Sequence, residues 1–126
     1  VKELDLPKDY YQTSSSNKIF DGNTNSVVYH DVDEPIIITF KEKQNISGFR
    51  YTPNQMRDAS RHIVDYEFYV DDVLIKKSSF GNIKNNPIEQ VVKFKNIKGK
   101  EVKFVPKSNT DKAKNCGIAE FSVITD

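Results

Sequence analysis

Two histidines, His30 and His62, and a single cysteine, Cys116, set a low ceiling on the chemistry this sequence can perform. Acid–base catalysis needs a base within reach of a nucleophile, or two carboxylates placed on either side of a bond. Asp31, Asp33, Glu34, Asp65 and Glu67 supply carboxylates, but they fall in turns or on the outward positions of alternating strands, where they read as solvated charges. No Gly-x-Ser-x-Gly or His-Glu-x-x-His motif is present, so an enzyme is not expected. Asp21-Gly22-Asn23 suits a ligand better: it is a short oxygen-rich turn able to wrap a hard cation, calcium first, with Glu120 as a further carboxylate. The same triplet also fits an Asx turn with no metal. His30 follows an aromatic, Tyr29, and reads either as a ligand-binding group or as a buried or incidental histidine.

The elements that must position these residues are short strands. Hydrophobic residues make up 37% and charged residues 29% of 126, a balance that supports a folded domain rather than a disordered tail or a membrane segment. We expect one domain over residues 1–126, large enough to bury a core without disulfides. The formal net charge of +1 lacks the one-sided field of nonspecific nucleic-acid binders, so no nucleic-acid partner is expected. No apolar run reaches the roughly 20 residues that cross a bilayer. No basic-then-apolar leader is present, and the sequence is expected to begin after any export signal. A lone cysteine cannot form an internal disulfide, and the Asn45-Ile46-Ser47 sequon is weak on its own.

No stretch sustains a helical stripe, and apolar residues alternate in short runs broken by Gly, Asn, Pro and Asp. Residues 35–40 read as a β-branched strand, 41–44 as a charged break, and 46–52 as a second strand. The clearest alternation spans 63–70, with Val64, Tyr66, Phe68 and Val70 on the inner face. Asp71-Asp72 then suggests a hairpin into Val73, although it lacks the glycine that favours primed turns. Two more strands, 89–95 and 101–105, are expected with 96–100 as the turn between them, and a last strand runs from 119 to 125. Residues 10–17 read as an entry loop. The class is all-β, an antiparallel sandwich.

Four segments in order carry a specific resemblance: Phe20-Asp21-Gly22-Asn23-Thr24-Asn25-Ser26 with Tyr29-His30, then Ile46 to Pro53, Ile63 to Val70, and Ile118 to Val123. Together they resemble the coagulation-factor type C or discoidin domain family, and within it the bacterial family 32 carbohydrate-binding modules, over nearly the whole chain. The resemblance implies an eight-stranded jelly roll, galactose-binding-domain-like, often appended to secreted glycoside hydrolases such as hexosaminidases of the chitobiase type. It further implies a structural calcium ion held by the Lys18 carbonyl, Asp21, Asn23, Ser26, the Ala119 carbonyl and Glu120, with Ser26 standing where the family usually has Thr.

For ligand binding the resemblance points to loops at one end of the sandwich, with His30 and Tyr29 matching a family pair. Hydroxyls need directional partners, and a sugar's C–H face packs on a ring. Asn54 stands where the family's Tyr-x-Pro-Arg pattern has Arg, a departure that weakens the case for a galactose-type sugar. Arg57 or Arg61 would fill the vacancy, Ser60 falls near the family Asn, and Phe80 and Asn115 complete the rim, Phe80 being open to a core reading as well. The expected function is a non-catalytic module that carries a linked, extracytoplasmic glycoside hydrolase to an exposed or terminal sugar. The alternative is a spacer or protein-interaction domain packed on its parent enzyme without sugar binding. Lipid insertion is not expected, because the loops are polar and Trp is absent, and a monomer is expected.

Overall fold

A computed structural model describes residues 2–3, 11–13, 28–53, 61–80, 83 and 88–125. Every regular element among them is a strand: β1 (Lys2–Glu3), β2 (Tyr11–Thr13), β3 (Val28–Asp31), β4 (Ile36–Pro53), β5 (Asp65–Val70), β6 (Val73–Ser79), β7 (Gln90–Pro106) and β8 (Asn115–Thr125). All pairings are antiparallel, in the order β1-β8-β4-β7-β5-β6, with β2 on β4 and β3 on β8. The expected antiparallel β-sandwich is the observed fold.

One strand pair makes the sandwich. The first half of β4 pairs with the end of β7, which in turn pairs with β5, whereas the second half of β4 lies between the start of β7 and β8. Both strands are continuous through segments expected to interrupt them, the charged break 41–44 in β4 and the turn 96–100 in β7. The ladder absorbs the bend through irregularities between Thr39 and Gln44 and between Ile46 and Gly48, as bulges that bend a strand do. A bulge permits the charged side chains of 41–43 to stay exposed without breaking the strand.

Between the layers lies an aromatic core. Phe49 on β4 is fully buried, with the ring centroids of Phe68, Phe104, Tyr66 and Phe121 at 4.8, 5.2, 5.4 and 5.8 Å. The alternation expected for β5 is observed: Tyr66, Phe68 and Val70 are buried, and Asp65 is exposed. Gly48 is needed where the bent strands touch, since a Cβ there would sit 2.2 Å from the Val92 carbonyl oxygen.

The β5–β6 hairpin closes through two residues, Asp71 and Asp72, both at positive φ (49° and 65°). That is the primed-turn geometry usually given to Asn-Gly, and it strains an Asp-Asp pair. Side-chain bonds compensate. Asp71 Oδ1 accepts from the backbone N–H groups of Lys100 and Glu101 at 3.1 and 2.9 Å, and Asp72 pairs with Lys103 Nζ at 2.9 Å.

Candidate functional site

The pairing of β3 with β8 sets Tyr29 opposite Gly117, His30 opposite Cys116 and Asp31 opposite Asn115. Strand alternation turns Tyr29 and Asp31 outward, and Tyr29 is 53% exposed. The segment from Arg61 to Ile63 lies alongside. Gly117 N–H donates to the Arg61 carbonyl at 2.9 Å, Thr110 N–H to the His62 carbonyl at 2.9 Å, and Ile63 N–H to the Tyr51 hydroxyl at 3.1 Å.

Held in this way, Arg61 becomes the centre of a cluster. Its Nη1 donates to Asn115 Oδ1 at 2.6 Å, and its Cζ lies 5.6 Å from the centroid of the Tyr29 ring. A guanidinium over a ring at a partly solvated site contributes about 0.5–1 kcal/mol. The Arg61 backbone is left-handed, with φ 59°, a conformation that costs a non-glycine residue of order 1 kcal/mol or more and persists only where the surroundings enforce it. Here they do so through the Gly117 bond and through Asp111 Oδ2, which accepts from Arg61 N–H at 3.2 Å.

The sequence named Arg57 and Arg61 as alternatives for the missing family arginine; Arg61 joins the cluster, while Arg57, with Asn54 and Ser60, lies outside the described residues. Asn115, also named from the sequence, lies beside Arg61 as its hydrogen-bond acceptor. Phe80 is not, and the rim assignment is corrected: it is 5% exposed, stacked on Tyr66 and Tyr51 at 4.6 and 5.3 Å. Burying a large ring among rings gains more than leaving it at a wet rim. His30 alternates to the other face of β3 from Tyr29, and its Nε2 lies 2.7 Å from the Glu34 carbonyl oxygen. A carbonyl only accepts, so Nε2 carries the proton and donates, and Nδ1 is the acceptor in the neutral ring.

Several residues that support the cluster were not singled out from sequence. Asn109 shapes the turn before β8: its Oδ1 accepts from the N–H groups of Asp111 and Ala113 at 3.0 and 2.9 Å, and its Nδ2 donates to the carbonyls of Ala113 and Asn115 at 2.9 and 3.1 Å. The Ser108-Asn109-Thr110-Asp111 run was the available signal, since such residues bond their own backbone in turns. Tyr51 donates to the Gly117 carbonyl at 2.8 Å while accepting from Ile63, and burial pushes its phenol well above the usual range. His62 is 4% exposed, and its Nδ1 has no hydrogen-bond partner among the described residues. Burial lowers its pKa, Asp111 opposing, which favours the neutral ring. Burial also lifts the Cys116 thiol to about 11, so it is an inert core group rather than a nucleophile.

Of the six residues expected to hold a cation, Lys18, Asp21, Asn23 and Ser26 lie outside the described residues. The other two are on β8. Glu120 pairs with Thr52, and the next pair is Pro53 with Ile118, so Ala119 falls in a register irregularity without a paired residue on β4. Among the described residues no group of three or more His, Cys, Asp or Glu side chains is placed to hold a metal.

The fold and cluster define a class: an antiparallel β-sandwich presenting a small polar and aromatic group at one end, while Lys2 pairs with Thr125 toward the other. The F5/8 type C domain model matches residues 7–121, and the chain belongs to that family. The fold is similar to the family 32 carbohydrate-binding module of Clostridium perfringens NanJ, solved with galactose (17% identity, 90% of each chain covered, TM-score 0.72). It is also similar to the C-terminal domain of a chitobiase from Bacteroides fragilis (16% identity, 96% and 97% covered, TM-score 0.73). The Clostridium perfringens ZmpB structure, with two such modules and an M60 catalytic domain, is a third (17% identity, TM-score 0.76); 98% of this chain matches 15% of that one. Comparison with curated proteins gives no match.

Proposed function

We propose that the chain is a non-catalytic carbohydrate-binding module serving a linked, extracytoplasmic glycoside hydrolase. The observation that carries this reading is the Arg61 guanidinium fixed between the exposed Tyr29 ring and Asn115. A ring offers a face for sugar C–H groups, and the planar guanidinium offers spare directional donors for hydroxyls. Asp31 and Asp111 beside it suit a neutral sugar, whose hydroxyls both donate and accept, better than an acidic one. A site built from three side chains buries little of its ligand, so single-sugar affinity is low and the benefit comes from tethering. The match to carbohydrate-binding modules that belong to larger enzymes supports the same reading.

The test is a glycan array on the intact chain. Binding to terminal sugars is expected, weakened about tenfold by Arg61→Ala, as the loss of a charge-assisted hydrogen bond implies. The resemblance adds His30 to the site, yet its place on the opposite face of β3 makes His30→Ala the milder change. A silent array sinks the sugar reading and leaves the spacer, and full binding by Arg61→Ala removes the Arg61 cluster as the sugar site.

A structural calcium ion is part of the proposal. Its donor set, carboxylates, an amide, a hydroxyl and carbonyls, is all oxygen and suits a hard cation. Two features support it. Val28 pairs with Ile118, the residue before Ala119 and Glu120 on β8, and the irregularity at Ala119 removes that residue from regular pairing with β4. Lys18, Asp21, Asn23, Ser26, Ala119 and Glu120 would hold the ion, which would tie the first loop to the last strand. Chelator added to a calcium-loaded sample is expected to lower Tm by about 5 °C or more. An unchanged Tm removes the ion from the account.

A further inference from the structure

The bend that joins the two layers also gathers charge. From Thr39 to Gln44, β4 advances five residues while β7 advances two, and from Ile46 to Gly48, β4 advances two while β7 advances four. The surplus residues include Lys41 and Lys43 on one strand and Lys95 on the other, with Lys98 and Lys100 between them. Every exposed position in 41–45 and 95–100 is Lys, Glu or Asn, and five are lysines. Four cations elsewhere among the described residues have carboxylate partners: Arg50 with Glu89, Lys77 with Glu67, Lys103 with Asp72 and Lys107 with Asp33. None of the five has an ion pair among the described residues. The acidic groups at the bend are Glu42, Glu101 and Asp71, and two of these are engaged locally, Glu101 by the Thr39 hydroxyl and Asp71 by backbone N–H groups.

We infer that this ridge is a second glycan surface, for a linear polysaccharide bearing carboxylate or sulfate groups. Five lysine stems over roughly 15 Å of strand form a flexible array of point charges, suited to anions repeated along a chain. No exposed aromatic or large aliphatic side chain lies within it, so it lacks the buried anchor of a protein-binding hot spot and the rings on which single-stranded nucleic acid stacks. It is also separate from the Tyr29–Arg61–Asn115 cluster. Ile46 pairs with Thr125 at one end of the shared strands and Pro53 with Ile118 at the other, roughly 23 Å along β4.

Affinity electrophoresis of the intact chain tests this, with polygalacturonate, dextran sulfate or uncharged dextran in the gel. Retardation is expected in either polyanion and not in dextran, falling as salt is raised. Reversing Lys41, Lys43, Lys98 and Lys100 to Glu is expected to weaken polyanion binding about tenfold or more, with binding of neutral sugars on an array unchanged. Gln at the same four positions, which adds no repulsion, is expected to give a smaller loss in the same direction. The same charge reversal at Lys76, Lys77, Lys112 and Lys114 serves as the control. An equal loss in the control, equal retention by single-stranded DNA, or no retardation by either polyanion overturns the inference.

Discussion

Replacing Phe49 by alanine is expected to lower the unfolding free energy by about 3–5 kcal/mol, the range for truncating a fully buried aromatic. Against a total of about 5–15 kcal/mol for a typical domain, that is a large share of the stability. The reason is position. Phe49 stands on the second half of β4, where the bent strand has crossed between layers, and its ring meets Phe68 and Tyr66 from β5, Phe104 from β7 and Phe121 from β8. Truncation removes the transfer energy of the ring and leaves a cavity lined by four stiff aromatics that cannot collapse into it. Phe94, half-buried and with one ring contact among the described residues, to Phe68 at 5.5 Å, is the comparator and should cost clearly less as alanine. Urea melts measure both. A fall in midpoint at constant slope is expected for Phe49→Ala; a loss below about 1 kcal/mol is incompatible with this ring's central role.

How far the fold was legible depends on whether its causes were local. The alternation of Tyr66, Phe68 and Val70 shows in the sequence because one buried face imposes a period of two, and the hairpin at Asp71-Asp72 follows from the polar break between two apolar runs. The continuity of β4 and β7 does not show. A charged run such as Lys41-Glu42-Lys43 has the same composition in a turn and in a bulge, and what selects the bulge is the facing strand, distant in sequence. Likewise, the strain of two left-handed aspartates is relieved by N–H groups of Lys100 and Glu101 that no local reading supplies.

The candidate site divides along the same line. Tyr29 and Asn115 could be named from residue type and from the resemblance, but their meeting is a product of the β3–β8 register. Arg61 joins them because Gly117 N–H bonds its carbonyl and ties that segment to β8, a contact that residue type does not announce. Phe80 failed as a rim residue for the converse reason: a lone aromatic in a polar stretch says nothing of the Tyr51 and Tyr66 rings that enclose it. The four loop residues expected to hold calcium remain a matter of resemblance, since only Ala119 and Glu120 fall within the described residues.

Tyr51→Phe is expected to separate stability from recognition more sharply than any change at the surface. The hydroxyl is the only group removed, and it joins two segments of the chain: it donates to the Gly117 carbonyl at 2.8 Å and accepts from Ile63 N–H at 3.1 Å. The phenol is protonated at any working pH, because burial raises its pKa, so the bonding pattern does not change with buffer. Phenylalanine would keep the ring and its stacking on Phe80 but leave a buried N–H and a buried carbonyl without this partner. The expected cost is about 1–3 kcal/mol. The loss falls where Gly117 also bonds the Arg61 carbonyl, so the segment that holds Arg61 over Tyr29 loosens from β8. Amide exchange should therefore accelerate at Ile63 and Gly117 ahead of the rest of the core. Glycan binding should weaken in Tyr51→Phe but show little further change when Tyr51→Phe is added to Arg61→Ala, because the hydroxyl acts through the arginine. Full additivity of the two substitutions, or unchanged exchange at Ile63, would show that Tyr51 supports the core alone and that something else positions Arg61.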